Sequence, residues 1–209
     1  MVVLTARQTT AYAESAKRRQ ILLGARSMFL REGFDAASMG DIAREAKVSK
    51  GTLYVYFDSK EDLFQTIVQE ECEAQAERVF ALDSSDHDVE AVLTRLGRDF
   101  IGFLGEPHRI SSFRTVIAIA ERMPELGRRF YAMGPTSGIG RVARYLEDQV
   151  KAGVLAVPDC ELAAAQFLDS CKSTIFQALL FNANERASDE RIAYVVATAV
   201  RTCLAAYKR

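Results

Sequence analysis

Apolar residues recur along this chain at three- and four-residue spacing almost from end to end, and strand-like alternation is nearly absent. The pattern predicts an all-α protein of about nine to ten helices. Residues 1–14 are polar and lack periodicity, so they are expected to form a disordered arm. The first helix is expected at 15–33, with Ile21, Leu22, Ala25, Phe29 and Leu30 as its apolar stripe and Gly33 at its end. Short segments follow at 39–46 and 50–56, then a long one at 60–82. A polar break, DSSDHD at 83–88, precedes segments at 88–104, 109–121, 124–133, 135–152, 159–183 and 188–207. Pro107, Pro124, Pro135 and Pro158 stand near segment starts, where the missing N–H costs little. The organisation predicted is an arm at 1–14, a helix-turn-helix domain at 15–75, and a helical bundle at 76–209.

The stretch SMGDIAREAKVSKGTLYVYFDSKEDLF, residues 38–64, carries the clearest local signals. Ser38, Ser49 and Ser59 each precede a helix start, and a serine hydroxyl there accepts a bond from an unpaired N–H of the first turn. Two short helices joined by the tight turn Lys47-Val48-Ser49 make a helix-turn-helix, spanning Ser38 to Phe57. Ile42, Ala43, Ala46, Val48, Leu53 and Phe57 are expected to share a small core with Phe29 and Leu30. The other face of the second helix then presents Lys50, Gly51, Thr52, Tyr54, Val55 and Tyr56. Hydroxyls, a cation and almost no acid suit phosphate oxygens and base edges in a major groove. Tyr54 has an alternative role as a cap on the small core. Lys60, at the next helix start, is either a phosphate contact or a solvated lysine.

Charge agrees with a DNA-binding head. The chain's net charge is −1, but residues 1–60 hold ten basic and six acidic side chains, leaving 17 basic and 22 acidic beyond them. A head of +4 on a body of −5 points to a polyanion met by the head alone. The four cysteines are scattered and only two histidines are present, so no metal set, cofactor motif or Ser-His-Asp or Cys-His arrangement is expected. No apolar run suggests a membrane span, and a reducing cytoplasmic setting fits.

In these residues the chain resembles the TetR/AcrR family. The matching positions are Phe29, Gly33-Phe34, Ser38-Met39, Asp41-Ile42-Ala43, Ala46, Val48 to Tyr54, Tyr56-Phe57 and Ser59 to Leu63. The resemblance implies that Lys50, Gly51, Thr52, Tyr54, Val55 and Tyr56 contact DNA, with Lys60 on phosphate and Met39, Gly40 and Arg44 on the supporting helix. Two departures stand out. Lys47 occupies the turn position where glycine is usual, which asks a non-glycine residue to adopt positive φ. Gly40 has no side chain at a position that often makes a contact.

The remainder is similar to the C-terminal domain of AefR-like members, on Phe113 to Ile117, Pro124 to Leu126, Phe130-Tyr131, Gly134-Pro135 and Ala163 to Leu168. That resemblance implies a homodimer built by the last two long helices. Phe167, Cys171, Thr174, Ile175 and Ala178, with Val195, Val196, Ala199, Val200 and Cys203, are the residues expected at its interface. A pocket for an unidentified apolar or amphipathic effector is expected among the middle helices. Phe100, Phe103, Phe113, Arg114, Ile117, Met123, Phe130, Met133, Phe176 and Leu180 are its candidates, with core packing as the alternative for each. The function implied is a dimeric repressor that leaves double-stranded operator DNA when it binds its effector. Control of an efflux system is a common role in the family. An enzyme, or a helical module that does not touch DNA, are the competing readings.

Overall fold

The computed structural model describes residues 6–183 and 186–208, and leaves out the side chains of 6–13 and 71–77. Eleven α-helices are present among the described residues, with no strand beyond one isolated bridge between Leu155 and Lys208. The chain divides into two compact units between Glu70 and Glu71, a point inside the fourth helix.

The first unit holds α1 (Ala6–Glu32), α2 (Met39–Glu45), α3 (Lys50–Tyr56) and the first half of α4 (Lys60–Val79). Helix α1 begins earlier than expected, so residues 6–14 are helical rather than an arm; residues 1–5 lie outside the described residues. Ile21, Leu22, Ala25 and Phe29 are buried as predicted, but Leu30 is exposed and Met28 is buried instead. The core is centred on Phe29, Phe34 and Phe64, whose ring centroids lie 5.2–5.6 Å apart. Such rings stabilise by area burial and by edge-to-face geometry.

Helices α1 and α2 approach very closely at Gly24. A Cβ placed there would stand 2.7 Å from Cα and from Cβ of Ala46 and 2.8 Å from its backbone nitrogen. One turn earlier, Gln20 Nε2 donates to the Ala46 carbonyl at 2.7 Å. That bond satisfies an acceptor at the α2 C-terminus, where helix carbonyls lack partners.

The second unit contains α5 (Val89–Leu104), α6 (Pro107–Ile119), α7 (Pro124–Tyr131), a π-helical turn (Ala132–Thr136), α8 (Ser137–Lys151), α9 (Cys160–Lys172), α10 (Phe176–Leu180) and α11 (Asp189–Tyr207). One hydrophobic core joins α5, α6, α8, α9, α10 and α11. Two boundaries differ from expectation. Pro135 does not start a helix. It lies inside the π turn, which carries the chain from α7 into α8 without a break and accommodates the missing N–H. The segment 159–183 is not one helix either. It ends at Lys172 because Ser173 leaves the helical conformation, at φ −51° and ψ 132°, and Thr174 has φ +61°. Arg191 donates to Thr174 Oγ1 at 2.7 Å, and Arg114 donates to the carbonyls of Leu179 and Leu180 at 2.7 and 2.8 Å. These bonds hold the break at Thr174 and the C-terminal end of α10 that follows it. At the other end of the unit, fully buried Gln149 donates to the Ser84 carbonyl at 3.0 Å and Tyr145 donates to that of Asp86 at 2.9 Å. They tie the polar 83–88 break to α8.

Gly24→Ala is expected to destabilise the chain by about 1–3 kcal/mol, because the added methyl meets backbone that has no room to yield. Gly102→Ala on α5 has open space around it and is the matched control, expected to leave stability level or raise it. Urea unfolding of both variants checks the pair.

Candidate nucleic-acid interface

The three serines act as helix caps. Ser38 Oγ accepts from Asp41 N–H at 3.2 Å, Ser49 Oγ from Thr52 N–H at 3.0 Å, and Ser59 Oγ from Asp62 N–H at 3.2 Å. Between α2 and α3 the chain makes a Schellman turn. Val48 N–H bonds the Ala43 carbonyl at 2.9 Å and Lys47 N–H bonds that of Arg44 at 3.1 Å. Lys47 takes φ +54°, the left-handed conformation that its place in the turn demands. The side chain is exposed, so a cation stands at the outer edge of the turn.

With Leu53 and Phe57 buried, α3 presents the opposite face. Lys50, Gly51, Tyr54 and Val55 are exposed, Val55 at 80%, and Thr52 and Tyr56 are half-buried. Tyr54 therefore does not cap the core. Met39 and Gly40 are half-buried on α2 and Arg44 is exposed, ion-paired to Asp41. Asp41 is held below the usual carboxylate range, first by the Ser38 hydroxyl and then by the Arg44 and Lys50 charges. Glu45 is held low by its hydrogen bond from Arg31 and by that from Ser27. Both acids on this short helix are thus tied to partners within the unit.

Lys60 has partners that its place in the sequence does not suggest. Its ammonium donates to the carbonyls of Phe34, Asp35 and Ala37 at 2.8, 3.0 and 3.1 Å and sits over the Phe34 ring. All three donors of the ammonium are used within the protein, so Lys60 closes the α1–α2 loop. Sequence alone missed this because the loop carbonyls that converge on Lys60 come from 23 to 26 residues away. Arg18 is also engaged, paired with Glu70 at 2.5 Å.

The candidates in the second unit separate into groups. Phe113, Ile117 and Phe130 line an open, apolar groove of about 450 Å³, together with Val116, Ala120 and Tyr131. Phe113 packs edge-on against Phe130 and Phe176 at 4.9 and 5.0 Å. The stripe 113-116-117-120 was readable from its helical spacing. Phe100 is buried against Phe80, and Phe103 lies beneath the Arg109 guanidinium at 3.7 Å. Met123, Met133 and Leu180 do not line the groove. Arg114 is spent on the α10 carbonyls. Of the expected dimer residues, Phe167, Cys171, Ile175, Val195, Val196, Ala199, Val200 and Cys203 lie in the chain's own core. Ala178 is half-buried and only Thr174 is exposed. The stripes were correctly apolar, but they face inward. The outward apolar side chains here are Leu162, Phe181 and Tyr194. Burial holds Cys171 and Cys203 as thiols, Cys171 pushed up to about 12. Among the described residues there is no cluster of metal-ligating groups and no helix long and apolar enough to cross a membrane.

Lys47→Gly is expected to stabilise the chain by about 1 kcal/mol, by relieving the left-handed residue, and Lys60→Met is expected to lower the unfolding midpoint. On DNA, Lys60→Met should leave the salt dependence of binding unchanged at a temperature where the variant is folded. A fall of about one unit in the log–log salt slope would instead place Lys60 on a phosphate.

Comparison with known proteins matches residues 21–67 to the model for bacterial regulatory proteins of the tetR family, and residues 91–209 to that for the AefR-like transcriptional repressor C-terminal domain. The repressor BepR of Brucella suis is 40% identical over 73 residues, 32% of this chain and 35% of that protein. The A-factor receptor protein of Streptomyces griseus is 33% identical over 124 residues, 53% of this chain and 44% of that protein. The chain thus spans less than half the length of either relative. Two solved structures match far more fully. A Mesorhizobium loti protein assigned to the TetR family superposes with a TM-score of 0.86 at 29% identity, over 93% of this chain and 98% of that one. The flavonoid-responsive regulator FrrA superposes with a TM-score of 0.80 at 30% identity, over the same shares.

Proposed function

This chain belongs to the TetR family of DNA-binding transcriptional regulators, and we propose that it acts as a homodimeric repressor released from its operator by a small aromatic or amphipathic effector. The observation that carries the DNA part is the α3 face. Lys50, Thr52, Tyr54, Val55 and Tyr56 stand together with no acid among them, beside Lys47 and Arg44. Membership of this family makes the chain a regulator and not an enzyme.

Dimerisation is supported by Leu162 on α9, Phe181 at the end of α10 and Tyr194 on α11, the last two exposed at 83% and 63%. Large apolar side chains this open on the last helices suit a surface that a second copy covers. A two-fold dimer would set two α3 helices about 34–36 Å apart, one turn of DNA. The effector part is supported by the groove of Phe113, Ile117, Phe130 and Tyr131, whose rings suit a flat aromatic molecule. FrrA, of similar fold, is described as flavonoid-responsive. An effector that binds one conformation better shifts the spacing of the two heads and so lowers DNA affinity. Control of an efflux system, cytoplasmic location and a division of roles between a DNA-binding domain and a larger helical ligand-binding domain belong to the same reading.

A duplex covering the DNA beside its own gene should form a specific complex at moderate salt, and a flavonoid such as naringenin should dissolve it. Absence of any specific complex would sink the DNA reading, and a complex indifferent to aromatic ligands would sink the effector class. Phe181→Glu with Tyr194→Arg is expected to convert a dimer to a monomer in sedimentation. An unchanged dimer would place the interface elsewhere.

A further inference from the structure

Gly40 lies in the first turn of α2, facing the first residue of α3. A Cβ built there would stand 2.8 Å from Cε and 3.1 Å from Nζ of Lys50. The end of the lysine side chain therefore fills the space that any other residue at position 40 would claim. Asp41, the next residue, feels the Lys50 charge. We propose that Gly40 is a positioning residue for Lys50. It leaves open the path by which the ammonium lies across the start of α2, at the seam of the two helices. This rests on the reading of α3 as the DNA-contacting helix, and it assigns a task to a residue that has no side chain of its own to offer.

Position 40 differs from position 24 in what a methyl would strike. At Gly24 it meets backbone, and at Gly40 the far end of a flexible side chain. The lysine can swing away at little cost to the fold. Alanine is moreover a better helix former than glycine. Gly40→Ala should therefore displace the ammonium without weakening the protein. A residue needed only for packing would show the opposite, a loss of stability.

The test is a double-mutant cycle on the full chain, with wild type, Gly40→Ala, Lys50→Ala and the double variant. The probe is the duplex that the wild-type chain enriches from a random library, and the readouts are equilibrium binding and the thermal midpoint. Gly40→Ala is expected to weaken binding roughly tenfold, a change of the size expected for one displaced contact. The double variant should bind no more weakly than Lys50→Ala alone, and the Gly40→Ala midpoint should be level with wild type or higher. Multiplying losses in the double variant, wild-type binding by Gly40→Ala, or a lowered midpoint would each overturn the proposal. Failure of the wild-type chain to enrich any duplex is a different outcome, which removes the DNA reading and this inference with it.

Discussion

The closeness of α1 to α2 at Gly24 is the constraint on which the placement of α3 depends. Glycine is required there because the Ala46 backbone stands where a Cβ would be. The Gln20–Ala46 bond fixes the same point along the helix axis. Ala46 leads directly into the Lys47 turn, and the turn sets where α3 begins. A displacement of Ala46 would thus be passed to every residue of α3. A unit of this size has a small core and little stability in reserve. A clash costing about 1–3 kcal/mol is therefore large for it.

The local chemistry of this unit was legible in the sequence because it acts over three or four residues. Serine caps, the Schellman turn with its left-handed lysine, and the outward set on α3 all follow from neighbours along the chain. Lys60 was not legible. Its partners are carbonyls of the α1–α2 loop, brought beneath it only when Phe34 packs against Phe64. Gly40 was legible as a departure but not in its role, since the space it leaves is claimed from another helix.

The second unit shows a different limit. Its apolar stripes were read correctly, yet periodicity does not say whether a stripe meets its own chain or another copy. α9 and α11 turn theirs inward, where Cys171 and Val196 pack against Gly97. The large apolar side chains left outward around α9, α10 and α11 are Leu162, Phe181 and Tyr194. The break after Lys172 was hidden for a related reason. Thr174 carries a backbone conformation that a β-branched residue rarely adopts, and its support comes from Arg191 on α11. Among the described residues, the middle helices hold an open apolar groove on α6 and α7.

The central claim is that α2 and α3 together form the surface this regulator lays on DNA. Hydrogen–deuterium exchange of the full chain, with and without its enriched duplex, tests it most directly. The account predicts slowed exchange concentrated in residues 39–56, with α9 and α11 unchanged by DNA. Protection that leaves 39–56 untouched and falls on other helices would contradict it.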